Sequence, residues 1–229
     1  GGNKTYKINF TQFFGKFKLG LTHSTGLKNA SLYELYGNIG QKNINPEKSK
    51  TNELTGEYNF SKNIKLSSTA YQTKMEDRIK INSSWDAYEN KIPDTTQEGL
   101  ESEITFSNKQ QLFSIVSHFA KSRTSSGGPN SRRPDLSYGV DYSNKFNLLD
   151  YGPFDLNISH RFIGDHIDWT GSKNEFVKSV DLIDMTLRKN WYGNIISLNL
   201  TNILNERYEK PATYSQDGRA VSFGFRRKY

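Results

Sequence analysis

Hydrophobic and polar residues alternate along most of this chain with a period of two. From Phe154 to Phe162 the sequence runs F-D-L-N-I-S-H-R-F. Phe154, Leu156, Ile158, His160 and Phe162 fall on one face, and Asp155, Asn157, Ser159 and Arg161 on the other. Leu136, Tyr138, Val140, Tyr142 and Phe146 share a face in the same way, opposite Ser137, Gly139, Asp141, Ser143 and Lys145. Ile196, Leu198 and Leu200 alternate with Ser197, Asn199 and Thr201. Such alternation marks β-strands with one apolar face, and the lengths suit the ~9–11 residues of a strand that crosses a bilayer. Further strands are predicted over Tyr6–Phe14, Phe17–Ser24, Glu53–Phe60, Ile64–Thr73, Leu100–Ser107, Leu112–Ala120, Val180–Arg188 and Arg219–Tyr229, about eleven in all. No helical period is expected anywhere.

The connections between these strands alternate in length. Asn59–Asn63, Ser107–Gln110 and Lys189–Asn194 are short. Thr25–Thr51, Glu76–Glu98, Lys121–Pro134, Gly164–Phe176 and Asn205–Gly218 are long. Short turns at one rim and long loops at the other are the asymmetry of outer-membrane barrels. The Gly, Pro, Ser and Asn of Thr124–Asn130 fit such a loop. Aromatics near strand ends, among them Tyr6, Phe14, Tyr58, Phe60, Tyr71, Phe146, Phe162 and Tyr229, fit interfacial girdles and equally fit plain strand formers.

Composition changes the picture in three ways. Only 34% of the 229 residues are hydrophobic and the mean hydropathy is −0.77, yet 13% are aromatic. That mixture is unlike a disordered chain and suits strands with one face in lipid and one in water. No run approaches the ~18 apolar residues of a membrane-spanning helix, so a membrane crossing requires a closed barrel. There is no cysteine, which excludes disulfides and thiolate metal sites. The net charge of +7 is dispersed over turns and strand ends, apart from Arg226, Arg227 and Lys228. It reads as loop charge beside anionic headgroups rather than as a nucleic-acid surface. The chain opens Gly1-Gly2-Asn3 with no initiator Met and no signal peptide; the expectation is a piece whose amino-terminal portion is missing.

The most specific pattern is Leu32-Tyr33-Glu34-Leu35-Tyr36-Gly37, followed by Asn43-Ile44-Asn45-Pro46-Glu47-Lys48-Ser49 and then Glu53. Asn45-Pro46 favours an extended entry to the next strand, and Ser49 and Glu53 then share its polar face. This pattern resembles a signature of TonB-dependent transporters, in which a Leu-Tyr loop precedes an Asn-x-Asn/Lys-Pro-Glu-Lys-Ser segment. Gly99-Leu100-Glu101 resembles the Gly-hydrophobic-Glu opening of a later strand in that family, and Arg132-Arg133-Pro134 its Arg-x-Pro loop. The tail resembles the cobalamin-receptor branch, on Asn202, Leu204, Asn205, Tyr208 and Glu209, then Gly218 and Arg219. Phe223, Phe225 and Tyr229 resemble the carboxyl-terminal insertion signal read by barrel-assembly machinery. Arg227, in line with them, departs from it, although a rim arginine can snorkel.

The resemblance implies an all-β, antiparallel transmembrane barrel of about 22 strands, of which residues 1–229 form the carboxyl-terminal part, without the plug domain and first strands. Alone, such a part forms a half-barrel or curved open sheet, or closes into a smaller barrel. It implies a multi-pass protein of the bacterial outer membrane that contacts lipid and lipopolysaccharide. Its other implied partners are the TonB energy-coupling protein, reached through the missing amino-terminal part, and a small corrinoid or iron-chelate ligand. The loops 25–51, 124–133 and 164–174 are the favoured ligand contacts. No cofactor and no nucleic acid is implied.

Other signals are thinner. His23, His118, His160 and His166 form no ligand spacing. His23 and His160 are read as lumen or rim residues, and Asp165, His166 and Asp168 as a solvated loop or a cation contact. Ser125-Ser126-Gly127-Gly128 is not a phosphate loop, and no catalytic constellation is found. Two other readings stay open: a passive pore or adhesin barrel, and a soluble β-rich binding protein, which so much apolar strand surface disfavours.

Overall fold

The computed structural model describes residues 4–90, 94–124, 127–171 and 173–227. Among them are β1 (Lys7–Phe14), β2 (Phe17–Lys28), α1 (Leu32–Tyr36), β3 (Glu47–Asn59), β4 (Ile64–Glu76), β5 (Lys80–Ile81), β6 (Tyr88–Glu89) and β7 (Thr95–Ser107). The remaining strands are β8 (Gln111–Thr124), β9 (Leu136–Asn147), β10 (Pro153–Ile163), β11 (His166–Trp169), β12 (Asn174–Val177), β13 (Val180–Trp191), β14 (Asn194–Thr201) and β15 (Ala220–Arg226). Eleven strands make one antiparallel sheet in the order β1-β2-β3-β4-β7-β8-β9-β10-β13-β14-β15. The pairs β5–β6 and β11–β12 are separate hairpins within long connections. The chain divides into two units: Gly1–Gly56, Thr69–Leu100 and Ala120–Asn130, and Glu57–Ser68, Glu101–Phe119 and Ser131–Tyr229.

In the first unit, Ile8 pairs with His23 and Phe10 with Leu21, which puts these side chains on one face. Asn9 and Thr22 lie on the other, joined by a 2.8 Å hydrogen bond. A Cβ on Gly26 would come 2.5 Å from Ser49 Oγ, so Ser49 crosses the strand where its neighbour has no side chain. Ser49 therefore stands on the Asn9–Thr22 face, and alternation places Thr51, Glu53 and Thr55 there too. Thr51 and Thr55 extend that polar face across to Thr73 and Thr69 at 2.9 and 3.0 Å. The opposite row of β3 runs Leu54, Asn52, Lys50, Lys48, so its apolar band ends near Asn52. Beyond that point stand the exposed ion pairs Lys50–Glu76 and Lys48–Asp77.

In the second unit the register gathers a continuous apolar face. Tyr138 pairs with Phe162, Tyr142 with Ile158 and Phe146 with Phe154. Ile158 pairs in turn with Met185 and Leu156 with Leu187. Leu187 continues to Leu198, and Leu198 to Phe223. On the other face, Ser143 donates to Asn157, Arg161 to Asp184 and Thr186 to Asn199. The two faces are those predicted for Leu136–Phe146, Phe154–Phe162 and Val221–Phe225. Large apolar side chains are left exposed rather than buried. Phe223 is 81% exposed, Phe225 67%, Ile8 63% and Phe10 59%. The buried apolar residues among those described are only Ile79, Ala120, Val180, Leu182 and Ala212. A water-soluble domain cannot carry that surface; a lipid-facing sheet requires it.

Local chemistry sets the short turns. Tyr192 and Gly193 both take positive φ, 48° and 78°, between the paired Trp191 and Asn194. This is the twist a two-residue hairpin needs. Asn108 Oδ1 accepts from the N–H groups of Gln110 and Gln111, and Ser61 Oγ from those of Asn63 and Ile64.

The structure departs from the predicted elements at their ends. β3, β4 and β7 have 13 residues and β8 has 14, longer than the predicted spans. Residues 25–28 continue β2, and 47–51 open β3, so the first long loop shrinks to 29–46. One short helix, α1, forms where no helical period was expected, because five residues are too few to show one. Tyr229, Lys228, Ser125 and Ser126 lie outside the described residues. No helix among those described is long and apolar enough to cross a membrane.

The two-faced sheet makes a direct prediction. Ile158→Arg, in the middle of the apolar face, is expected to destabilise the barrel by about 2–4 kcal/mol in phospholipid vesicles. Ser159→Arg, one residue on and paired with Asp141 and Asp184, is expected to cost less than about 1 kcal/mol. Denaturant unfolding of the two variants checks this, and equal losses would contradict the face assignment.

Candidate functional site

Five long connections follow β2, β4, β8, β10 and β14, and five short ones follow β1, β3, β7, β9 and β13. Antiparallel order puts all the long ones at the same strand ends. The candidate sites are the long loops of each unit taken by itself, and the motif residues read from the sequence sit largely in them.

In the first unit, Ser31 caps α1. Glu34 N–H donates to Ser31 Oγ at 3.2 Å, and Ser31 N–H to the Glu34 carboxylate at 2.6 Å. That reciprocal capping box fixes the Leu32–Tyr36 segment, and the Ser31 N–H holds the Glu34 carboxyl below its ordinary range. Leu32, Tyr33 and Tyr36 stay exposed while Leu35 is half-buried; Tyr33 meets Tyr88 edge-on at 6.3 Å. Asn45 is pinned at both ends of its peptide. Its N–H donates to Asn90 Oδ1 at 2.8 Å, and Asn90 Nδ2 donates to its carbonyl at 2.9 Å and to that of Asp77 at 2.6 Å. Pro46 then leads into β3. Glu47 accepts from Lys28 at 3.3 Å and from the Ile79 N–H at 2.9 Å. Asn45 and Glu47 therefore tie the 29–46 loop to the 77–94 loop. Gly99 is half-buried in β7; the next motif residue, Glu101, already belongs to the second unit, where it lies 3.5 Å from His118.

The second unit contains a tighter knot. Asp168 is 1% exposed. One carboxylate oxygen receives Arg132 Nε at 2.6 Å and Ser131 Oγ at 3.1 Å; the other receives the Ala212 N–H at 2.9 Å. Ser131 Oγ also accepts the Trp169 N–H at 2.8 Å, and the Arg132 N–H reaches the Ile167 carbonyl at 2.8 Å. One buried carboxylate thus ties together Ser131–Arg132, its own 166–169 segment and Ala212, from three different long connections. Burial pushes its pKa up, but the Ala212 N–H, the Arg132 guanidinium and the Ser131 hydroxyl outweigh it and hold the group below the ordinary aspartate range. The solvated loop expected for Asp165, His166 and Asp168 holds for the exposed Asp165 but not for Asp168, which is buried and whose charge is met by Arg132. Within the Arg132-Arg133-Pro134 segment, Arg132 makes the bond, while Arg133 is exposed and Pro134 half-buried.

The tail motif is also loop carpentry. Asn202 is 6% exposed with φ of 48°. Its side chain donates to the carbonyls of Glu206 and Asp217 and accepts from the Glu206 N–H, while its own N–H reaches Asp184 at 2.8 Å. Asn205 Oδ1 accepts from the Arg219 N–H at 3.0 Å, and a Cβ on Gly218 would come 2.8 Å from that same oxygen. Glu209 accepts from the Thr213 N–H at 2.6 Å, and Tyr208 accepts the Gln216 N–H on its carbonyl. Leu204 is exposed. His160 lies on the apolar face, 2.7 Å from Asp181 and edge-on to Tyr138. His23 lies on the corresponding face of the first unit and bonds Asn52 at 2.7 Å. The lumen expectation fails for both, because each shares a row with apolar residues of its strand.

Strands with one lipid face and one polar face, short turns at one end and knitted long loops at the other, define the wall of an outer-membrane β-barrel. The profile described as TonB dependent receptor-like, beta-barrel matches residues 1–205, and the chain belongs to that family, whose members are transporters and receptors of the Gram-negative outer membrane. The vitamin B12 transporter BtuB of Vibrio cholerae is 25% identical over 96% of this chain and 36% of its own. Among solved structures, the FrpB iron transporter of Neisseria meningitidis superposes with a TM-score of 0.78 at 13% identity, over 99% of this chain and 39% of that one. The ferric yersiniabactin uptake receptor FyuA of Yersinia pestis gives 0.78 at 15%, over 98% and 37%. The chain thus spans little more than a third of the length of these relatives.

The Asp168 knot predicts a pH response. Its carboxyl is held below its unfolded value, so its stabilisation is complete above the ordinary carboxylate range and is lost as pH falls through the lowered pKa. Asp168→Ala is expected to speed exchange of the Ala212 amide about 10–150-fold at neutral pH, the effect of losing about 1.5–3 kcal/mol of charged hydrogen bonding. In the unsubstituted protein, that protection is expected to disappear only in acid, once rates are corrected for intrinsic exchange. Hydrogen exchange with mass spectrometry measures both. Asp165→Ala serves as the control and is expected to change nothing.

Proposed function

We propose that residues 1–229 form the carboxyl-terminal wall and outer loops of a receptor that imports a scarce, bulky ligand, a corrinoid or an iron chelate, using energy delivered by TonB. The carrying observation is the rim itself: long loops from three connections are locked together by a buried carboxylate, above a sheet with a lipid face. A passive pore needs no such fixed loop surface, whereas a ligand of many atoms needs several loops held in register before it arrives. The similarity to a vitamin B12 transporter over nearly the whole chain, and to iron-chelate receptors in fold, supports the two ligand classes. In this reading the plug domain and the TonB contact belong to the rest of the receptor, and barrel-assembly machinery and lipopolysaccharide are the partners of the wall. The loops 29–46, 127–133 and 164–174 meet the ligand.

The test uses the full-length receptor in detergent. Replacing residues 164–174 by a short Gly-Ser turn is expected to abolish binding of cyanocobalamin or of a ferric chelate, whichever the intact receptor takes. The heat-modifiable mobility of the folded barrel is expected to be retained. Undiminished binding by the loop-deleted receptor would overturn the proposal.

A further inference from the structure

Beside the Asp168 knot lies a cavity of about 470 Å³, lined by residues of β10, β13 and three loops. Ile163 and Val180, paired in register, form its floor. They sit one residue from Phe162 and Asp181 and therefore on the face opposite the lipid. The cavity opens on the luminal side at the long-loop end. Its walls do not depend on mobile side chains, because Asp168 ties together the segments that supply them.

The charge balance in this cavity is uneven. Arg132, Lys178 and Lys210 line it, against Asp168 and Glu209. Both acids are already engaged: Asp168 through both oxygens, and Glu209 through the Thr213 N–H. Arg132 bonds Asp168 through Nε alone, and its side chain is 61% exposed. Among the described residues, its two terminal nitrogens and the ammonium groups of Lys178 and Lys210 have no carboxylate partner. Three cations facing one luminal cavity, with their local acids occupied, form a receptor for a negative group. A planar guanidinium fork beside two point charges matches a carboxylate or phosphate. Tyr208, Pro211 and Val177 supply an apolar wall for the body that carries it.

We infer that this cavity is a luminal subsite for an anionic group, carboxylate or phosphate, of the imported ligand, held by Arg132, Lys178 and Lys210. The inference rests on the chain forming a receptor's luminal wall, and it narrows the ligand to one bearing such a group.

The experiment asks for the anion directly. The full-length receptor is treated with an amine-acylating reagent with and without citrate, and in a second arm with inorganic phosphate, and labelling at each lysine is read by mass spectrometry. Citrate, phosphate or both are expected to slow labelling of Lys178 and Lys210 severalfold while leaving Lys62, in a short turn, unchanged. The arm that protects identifies the group. Binding of the protecting anion to Lys178→Gln/Lys210→Gln is expected to weaken about tenfold or more, with Ala212 exchange protection intact to show that the loops still hold. Absence of protection in both arms, or equal slowing at Lys62, overturns the inference. A receptor that passes the loop-deletion test yet fails this one keeps its proposed function and loses only the anion subsite.

Discussion

Lipid offers no hydrogen-bonding partner to a peptide group, so each strand in the sheet must find its N–H and C=O partners on its neighbours. Almost every other property of this chain is a consequence. Pairing fixes register, and register with a two-residue side-chain period divides every strand into a lipid row and a luminal row. The Leu156–Leu187–Leu198–Phe223 line exists because four strands obey that constraint at once. So does the luminal bond from Arg161 to Asp184, which runs diagonally between two of the same strands. The sheet's large apolar side chains stack on neighbours across the strands, as Tyr138 does on Phe162 at 4.9 Å, and turn their remaining surface to lipid rather than to a buried core.

Where the strands leave the membrane, water is again available, and the loops need a different device to hold a shape. The device is a small number of polar side chains with several bonds each. Asn90 and Glu47 join two loops in the first unit; Asp168 joins three in the second, and Asn202 closes the last. Asn90 and Asn202 bond only backbone groups, and Glu47 and Asp168 each take one backbone N–H beside their side-chain partners, so the chain's path is fixed at all four. That leaves the surrounding side chains, among them Lys178, Lys210, Leu32 and Tyr36, available to face outward.

The strands were legible because alternation is local. Ile158 declares its face through its own neighbours, and the carboxyl-terminal row from Val221 to Phe225 lies as read. Strand ends were not, because Lys48 and Lys50 belong to sheet that stands in water, where the apolar row has ended and pairing continues. The helix at Leu32 carries no visible period, although its Ser31 and Glu34 spacing is a capping signal that can be read directly. The motif residues Asn45, Glu47, Asn202, Asn205 and Gly218 were recognised as a pattern, and their physical task is loop geometry. Asp168 could not be paired from sequence, because its partners lie 36, 37 and 44 residues away.

The strand lengths have one more consequence. A strand of 13 residues is about 43 Å long and, tilted by about 40°, rises about 33 Å, against an apolar band of about 25 Å. The excess, seen at Lys48 and Lys50, forms a stiff collar between bilayer and loops. A bilayer that thickens or thins by a few ångströms then slides along the collar without straining the knots above it. The geometry of the long loops is thereby insulated from fluctuations of the membrane that carries them.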